Sequence, residues 1–471
     1  MSLRRIDSRF LLPHPVTRAA VLPGATGWHE ELERAGIEVV PDRGDQLDLA
    51  VAPAERASEA HALDPAAVIV EGRRPRLPRG VSFLPLPAHD EPLVFVPLGN
   101  PAPARYAISQ WAFADSAWKR ARNRVLGTLA ARDLFPPLRP LVTVSAPRQP
   151  PFLVQAAYEN GVPAGALPLL LAGQGDDYSR GAFLLFEPGA AEPGWALKFG
   201  RLPVELGSFE REERGLRLAQ AAGVVVSAHA PRHVGRWEAA GLSCALETAA
   251  TGKPLQTLLQ TAPDEGQRLT ELVCSWLVGV ATSTAEIGAA LRPELERLDR
   301  EVLPAWKLAP DAASRLSDVP GVFQHNDLGS WNILFSDERF TVLDWEGYVA
   351  HGLPFWDLWY FLADAAAHLD GVESQAGRPD HFQHLFLGEA ASSPLLFRWT
   401  RRLAEALDVK PEAVGGIATL CWLHHGLAGD RRAAEASAGP VEPYVQHEVL
   451  RRNAQAWLEH PGLGWNWDRW R

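Results

Sequence analysis

Cysteine, methionine and lysine are all scarce in this chain of 471 residues, which has three cysteines, one methionine and five lysines. Cys244, Cys274 and Cys421 lie far apart within apolar stretches. This pattern is typical of small buried side chains and argues against a disulfide framework or a cysteine metal site.

Long apolar runs and an excess of positive charge are also missing. No stretch approaches the roughly 20 apolar residues that a membrane helix needs. Arg4-Arg5 is followed by an acidic residue and prolines rather than by the apolar stretch of a signal peptide. The formal net charge is −11, whereas nucleic-acid binding relies on basic patches. We therefore expect a cytoplasmic protein that has neither nucleic acid nor a membrane as a partner.

The most informative stretch is residues 324–346, which contains Asp327, Asn332 and Asp344. Asp327 and Asn332 lie on one short loop, and an apolar β-hairpin then returns Asp344 beside that loop. An amide oxygen and a carboxylate are ligands that Mg²⁺ accepts together with substrate phosphates. The remaining acid, Asp327, is free to accept a proton from an attacking hydroxyl group. The pattern therefore favours phosphoryl transfer over a plain polar hairpin.

This arrangement resembles the aminoglycoside phosphotransferase-like branch of the protein-kinase fold, over roughly residues 165–471. The signature His-x-Asp-x-x-x-x-Asn matches His325, Asp327 and Asn332, and Asp344 ends the apolar strand that follows. In the family, a later Gly-x-Pro-x-x-Asp segment supplies an acid that braces the catalytic loop, here Asp357. The resemblance implies a bilobal α+β fold in which His325 and Asp357 support the site.

Two departures from the family pattern lie on the same loop. The family usually has glycine where this chain has Asn326, a residue that tolerates unusual backbone angles. Gly329-Ser330-Trp331 replaces the commoner His-Pro-Gly insert. The resemblance implies that the loop keeps its shape despite these changes.

Residues 166–200 are a candidate phosphate-binding lobe. The predicted strands are 166–171, 182–186 and 194–199, and a glycine-bearing loop at 173–181 contains Ser179. Such a loop folds backbone N–H groups over a triphosphate, and we assign Ser179 to nucleotide binding. Lys198, one of only five lysines, lies inside an apolar strand, which suits a compact charge that contacts phosphates.

The family resemblance also implies a carboxylate partner for Lys198 and a hinge for adenine. Glu212 is the expected partner, on the helix after that strand, and Glu213 remains the alternative because helical phase does not exclude it. The strand 242–247 ends in Glu247. In the family, the backbone of this hinge contacts the adenine base, so Glu247 is assigned to the nucleotide site.

The chain divides by prediction into three parts. Residues 1–150 alternate strands and helices, which indicates a parallel α/β domain. This domain is Rossmann-like but lacks the full G-x-G-x-x-G fingerprint, so a scaffolding or degenerate domain is favoured. Residues 151–250 form the kinase-like N-lobe, and residues 251–471 form the C-lobe, whose helices build the acceptor pocket. Within those helices, the His424-His425 pair lacks further ligands at metal-binding spacing and is interpreted as core.

These features predict an ATP-dependent phosphotransferase, with GTP as an alternative donor and Mg²⁺ as the metal. The expected acceptor is a hydroxyl group of a small polar metabolite, such as a sugar or an aminoglycoside-like compound. Nucleotidyl transfer on the same fold is one alternative. A catalytically idle scaffold, with a biosynthetic protein partner bound through the N-terminal domain, is the other.

Overall fold

The structure is a computed structural model that describes most of the chain as two compact units. The described residues are 5–41, 46–72, 80–87, 92–111, 117–134, 141–173, 179–204, 207–337, 339–372, 374–435 and 445–471. Unit 1 comprises Met1–Phe209 and His233–Thr251, and unit 2 comprises Glu210–Arg232 and Gly252–Arg471.

Unit 1 is built around a single sheet of twelve strands within the described chain. In chain order, β1 to β12 are Arg18–Val21, Glu38–Val39, Leu49–Pro53, Ala67–Gly72, Gly80–Leu86, Val94–Pro97, Leu141–Ser145, Leu167–Leu171, Gly181–Phe186, Trp195–Phe199, His233–Ala239 and Leu242–Thr248. Their spatial order is β11-β12-β10-β9-β8-β6-β5-β7-β4-β3-β1-β2. Helices α1 to α5 are Trp28–Arg34, Ala57–Ala62, Pro101–Trp111, Ala117–Ala131 and Phe152–Glu159.

One end of this sheet is parallel, in the order β2-β1-β3-β4. Residues 49–52 are fully buried, as expected for a parallel strand that is covered on both faces. Helices α1 and α2 connect these strands. The α/β alternation predicted for this region is therefore present.

The antiparallel strands β8 to β12 continue the same sheet, because β6 pairs with β8 through Val94–Leu171 and Phe95–Leu170. The three strands predicted between residues 166 and 199 are β8, β9 and β10. The predicted boundary near residue 150 therefore falls inside one compact unit. Sheet pairing at such long sequence separation leaves no local signal in the sequence.

Unit 2 is mostly helical and has two small sheets. Strands β13 to β17 are Lys253–Pro254, Val322–Gln324, Ile333–Ser336, Arg339–Val342 and Val349–Gly352. Strands β13, β15 and β16 form one sheet, and β14 pairs with β17. Helices α6 to α17 are Gly207–Ala221, Val224–Ser227, Leu255–Thr261, Pro263–Thr284, Arg292–Arg297, Leu303–Ala305, Trp356–Leu369, Arg378–Leu387, Ser393–Leu407, Pro411–Gly426, Ala428–Glu435 and Val445–Glu459. Helix α6 begins with the last residues of unit 1.

The core of unit 2 surrounds α12 and α15. Residues 414–426 of α15 are all buried, as expected for a helix that is apolar on every side. Six tryptophan side chains are fully buried in this unit: Trp345, Trp356, Trp359, Trp422, Trp457 and Trp467. The cysteines Cys244, Cys274 and Cys421 are free and buried, as predicted. Among the described helices, none has both the length and the apolar character to cross a membrane.

Candidate active site

The loop between β14 and β15 is held by an acid on α12. The backbone N–H groups of His325 and Asn326 each donate to the carboxylate of Asp357 at 2.7 Å. Asn326 lies in the left-handed region, with φ of 64°, which asparagine accepts more readily than most residues. Burial raises the pKa of Asp357 to about 6, and the two N–H donors oppose that shift. Asp357 therefore fixes the direction of the loop at its first residues.

His325 connects this loop to the end of β16. Its Nε2 lies 2.8 Å from the carbonyl oxygen of Leu343, and its Nδ1 accepts the N–H of Asp327 at 3.3 Å. Burial lowers the pKa of His325 to about 4, so the ring is neutral and carries its proton on Nε2. Asp344 directly follows Leu343, so His325 sets the spacing between Asp327 and Asp344.

Asp327 is a half-buried carboxylate that is held by neutral donors. The hydroxyl of Tyr360 donates to its Oδ1 at 3.0 Å. The side-chain Nδ2 of Asn332 donates to its backbone oxygen at 2.9 Å and lies 3.4 Å from Oδ2. Burial raises the pKa of Asp327 to about 8, and the charges of Asp344 and Glu346 add to this shift. A carboxyl group whose pKa lies near neutrality suits proton transfer.

Asn332 and Asp344 fit the magnesium ligands that the sequence predicts. Because Nδ2 of Asn332 donates to Asp327, its amide oxygen is the atom that remains for a cation. Asp344 lies close enough to raise the pKa of Asp327, and a cation between such carboxylates relieves their repulsion. The described chain contains no cluster of three or more His, Cys, Asp or Glu residues that would hold a metal alone. Mg²⁺ usually completes such a partial ligand set with water and substrate phosphates.

One face of α12 carries three polar side chains that support the loop: Asp357, Tyr360 and Asp364. Asp364 accepts the N–H of Ser330 at 3.0 Å and also its hydroxyl group. Arg378 donates to Asp364 at 2.6 Å. Neither Tyr360 nor Asp364 was predicted from the sequence. Their spacing along an otherwise apolar helix was the available signal, because residues three, four and seven apart share a helix face.

In unit 1, Lys198 forms an ion pair with Glu247. The Nζ atom of Lys198 lies 3.1 Å from Oε1 of Glu247. Lys198 on β10 is opposite Ala245 on β12, which places Lys198 and Glu247 diagonally on one face of the sheet. Both residues were assigned to nucleotide binding, but the contact between them was not predicted.

Ser179 and Gly173, at the described ends of the predicted glycine loop, contact a buried charge cluster. The Nε atom of Arg201 donates to Asp7 at 3.0 Å, and the N–H of Gly173 donates to the same carboxylate at 3.2 Å. The guanidinium of Arg201 also lies 3.4 Å from the Ser179 hydroxyl. Residues 174–178 of the predicted loop lie outside the described residues. We call Asp7, Arg201 and their contacts the Asp7–Arg201 cluster.

Comparison with known proteins identifies the family. The family model of the phosphotransferase enzyme family matches residues 154–394, which is just over half of the chain. The chain belongs to this family. It is therefore a phosphotransferase enzyme, and the predicted family resemblance and α+β fold class are confirmed.

Several solved structures are similar to this phosphotransferase at low identity. A thermostable mutant of aminoglycoside phosphotransferase APH(4)-Ia, in a ternary complex with ADP and hygromycin B, has 14% identity and a TM-score of 0.37, covering 64% of this chain and 98% of that chain. Glucosamine kinase with glucosamine, ADP and inorganic phosphate has 15% identity and a TM-score of 0.34, covering 68% and 85%. A putative fructosamine-3-kinase from Haemophilus somnus has 11% identity and a TM-score of 0.35, covering 64% and 95%. No curated protein matches the sequence significantly.

Glu212 and Glu213, the two candidate partners of Lys198, occupy different environments on α6. Glu212 is 2% exposed, and its charge opposes the lowering of the His325 pKa that burial causes. Glu213 forms a surface ion pair with Arg217 at 2.9 Å. A Cβ at Gly215 would collide with the carbonyl oxygen of Trp345, so α6 packs tightly beside the residues that follow Asp344. The pairing of Glu212 with Lys198 stays a prediction.

Proposed function

We propose that this phosphotransferase moves the γ-phosphate of ATP to a hydroxyl group of a small polar metabolite, with Asp327 as the general base. The observation that carries the proposal is the environment of the Asp327 carboxylate. It is half-buried, its pKa is raised to about 8 by burial and by Asp344, and the hydrogen-bond donors to its side chain are a phenol and an amide. A carboxylate that is not neutralised by a cationic side chain keeps its affinity for a proton.

In the proposed reaction, the acceptor oxygen forms a bond to the γ-phosphorus while the bond from that phosphorus to the β,γ-bridging oxygen breaks. ADP leaves, and the proton of the acceptor hydroxyl passes to Asp327. Tyr360 orients the carboxylate through its hydrogen bond to Oδ1. Catalysis of this kind depends mainly on positioning and charge stabilisation. Mg²⁺, if held by Asn332 and Asp344, would neutralise the charge on the phosphate oxygens.

The nucleotide contacts form a second part of the proposal. Lys198 contacts the phosphates, and the ion pair with Glu247 at 3.1 Å fixes the direction of the ammonium group. Ser179 contributes a hydroxyl to the glycine loop, and Glu212 supports Lys198. A lysine whose orientation is set by a carboxylate loses less conformational freedom on binding phosphate. GTP remains the alternative donor.

Replacing Asp327 by Asn tests the proposed base. The wild-type enzyme, given Mg²⁺–ATP and glucosamine, hygromycin B or a fructosamine as acceptor, should release ADP and form a phosphorylated product. The Asp327→Asn variant should lose about 10³-fold or more in kcat, since the base is removed, and should still bind Mg²⁺–ATP in a calorimeter. Asp318→Asn, which removes an exposed carboxylate, is the matched control.

The same assay separates the alternatives. Release of pyrophosphate instead of ADP would show nucleotidyl transfer. Full turnover by Asp327→Asn would refute the base assignment. An inert wild-type enzyme whose biological role survives Asp327→Asn would instead support a scaffold that acts through a protein partner.

A further inference from the structure

Asn326, the residue directly before the proposed base, is held through both its backbone and its side chain. Its backbone N–H donates to Asp357 on α12 at 2.7 Å. Its side-chain Nδ2 lies 3.1 Å from Nε2 of His424 on α15, and its Oδ1 has no partner among the described residues. Glycine, which the family usually has here, offers no side chain for such a contact. The contact with α15 therefore distinguishes this chain from the family pattern.

The ring of His424 is held in turn by groups outside the loop. Its Nδ1 lies 3.1 Å from the guanidinium of Arg297 and 3.2 Å from that of Arg431. Arg431 also donates to the carbonyl oxygen of His424 at 2.8 Å, and the ring of Trp356 packs against the imidazole with ring centroids 5.0 Å apart. His424 is 4% exposed. Its orientation is therefore set by the helices around it and not by the loop.

These contacts also decide which nitrogen of His424 carries the proton. A guanidinium group only donates hydrogen bonds, so Nδ1 is the acceptor. Burial and the two arginines lower the pKa of His424 well below its usual range, so the ring is neutral and its one proton lies on Nε2. The oxygen and nitrogen of an amide have nearly the same shape and are distinguished by their hydrogen bonds. A rotation of the amide by 180° therefore places the oxygen of Asn326 opposite Nε2–H.

We infer that His424 is a positioning residue for the base: by donating from Nε2 to the side chain of Asn326, it holds the residue that precedes Asp327. This inference rests on the proposed function. Asn326 has φ of 64°, in the left-handed region, where a side chain costs more free energy than glycine does. The hydrogen bond to His424 offsets this cost. Asp357 and His424 thus hold one residue from two helices, and the position of Asp327 depends on α15 as well as on α12.

The hydrogen bond makes His424 and Asn326 interdependent. A buried polar group loses most when only its partner is removed, whereas removing both partners together costs little. Without His424, the amide of Asn326 has no partner within the described chain, and the loop has to move for the amide to reach water. In Asn326→Gly, the loop has no amide to satisfy, so the loss of His424 no longer affects it. Substitutions at the two positions should therefore be non-additive in kcat.

The first experiment determines the tautomer of His424 and needs no acceptor. Long-range ¹H–¹⁵N correlation spectra of the full-length protein, labelled with ¹⁵N-histidine, show which ring nitrogen is protonated, and the spectrum of His424→Gln assigns the signals. A proton on Nε2 alone supports the inference. A proton on Nδ1 overturns it, because Nδ1 could then not accept from the two arginines, and nothing would assign a donor to Nε2.

The second experiment is a double-mutant cycle between positions 326 and 424, measured as kcat with an acceptor that the wild-type enzyme phosphorylates. His424→Met removes the donor and should lower kcat about tenfold to a hundredfold, because a small displacement of the base has an effect of this size. The KM for Mg²⁺–ATP should hardly change. In Asn326→Gly/His424→Met, kcat should stay within about threefold of that of Asn326→Gly. His424→Gln has nearly the length of His424→Met but keeps an N–H donor, and should stay within about threefold of wild type.

Two kinetic outcomes would overturn the inference. An equal loss of kcat from His424→Met with and without Asn326→Gly would show that His424 only packs in the core. A loss of about tenfold or more in folded His424→Gln would show that the donor is not what matters, and this variant decides the case if His424→Met does not fold. His384→Met makes the same substitution at an exposed site and should leave kcat unchanged.

Hydrogen exchange separates a failure of the inference from a failure of the proposed function. The N–H of Asn326, which donates to Asp357, should exchange faster in His424→Met than in wild type, since the loop is held less firmly. If the wild-type enzyme phosphorylates no acceptor, the proposed function fails, but the exchange rate still shows whether His424 holds the loop. Equal exchange rates in the two proteins would overturn the inference whatever the activity.

Discussion

Asp7 in unit 1 is a fully buried carboxylate and Asp327 in unit 2 is a half-buried one, and their partners differ. Asp7 contacts Arg201 at 2.9 Å and Arg9 at 3.6 Å, so positive charge compensates it. Asp327 contacts a phenol and an amide. Burial raises its pKa, and nearby negative charges raise it further. We expect from this difference that Asp7 stabilises the fold, whereas Asp327 keeps a raised pKa that suits the proton transfer proposed for it.

The largest effect on stability is expected at Asp7. Asp7→Ala leaves Arg201 buried without its carboxylate and should lower the free energy of unfolding by about 3–5 kcal/mol. The measurement is chemical denaturation followed by a probe in unit 1. Because Gly173 also contacts Asp7, the KM for Mg²⁺–ATP should rise as well.

A double-mutant cycle with Arg201→Ala controls this prediction. Asp7→Ala/Arg201→Ala should be less destabilised than the sum of the single changes, because Arg201 is no longer left buried without its carboxylate. In contrast, Asp327→Asn should leave stability unchanged or increase it. A loss at Asp327→Asn as large as that at Asp7→Ala would refute the comparison.

The next effect concerns pH and the neutral histidines of unit 2. Burial lowers the pKa of His425 to about 3, from 6.5. His425 therefore binds a proton below pH 6.5 in the unfolded chain but only near pH 3 in the folded chain. The free energy of unfolding is therefore greatest above pH 6.5 and decreases as the pH falls from 6.5 towards 3. The slope is at most about 1.4 kcal/mol per pH unit for one group.

His425→Gln should reduce this acid sensitivity, measured as the free energy of unfolding at several pH values between 7 and the acid limit of the folded enzyme. His384→Gln removes an exposed histidine and should keep the wild-type slope. Equal slopes in wild type and His425→Gln would show that His425 is not held neutral.

The smallest effect distinguishes the two glutamates of α6. Glu213→Gln breaks a surface pair with Arg217 and should cost about 0.3 kcal/mol, with no change in kcat. Glu212→Gln alters a buried group near His325 and should lower kcat/KM for Mg²⁺–ATP. Steady-state kinetics of the two variants test this assignment. A larger loss of kcat/KM in Glu213→Gln than in Glu212→Gln would make Glu213 the functional residue.

The sequence predicted the parts of the site that are local in the chain. His325, Asp327 and Asn332 share one loop, and a short hairpin brings Asp344 back, so their spacing and the family signature were enough to propose them. Contacts between distant segments left no such signal. Tyr360 reaches Asp327 from a helix 33 residues away, and Arg201 reaches Asp7 across 194 residues.

The same reasoning explains why the sheet of unit 1 was not predicted. Strands β8, β9 and β10 were predicted from their own apolar patterns, and the predicted α/β alternation is present before residue 72. The pairing of β6 with β8 depends on register between segments that are far apart, and periodicity within a strand does not encode it.

The continuous sheet has a practical consequence for anyone who shortens this enzyme. A chain started at residue 154, where the family match begins, would lack β6. The backbone of Leu170 and Leu171 on β8, which pairs with β6, would then be an unpaired strand edge. Exposed apolar strand edges pair with other chains, so the shortened enzyme should precipitate or form fibres.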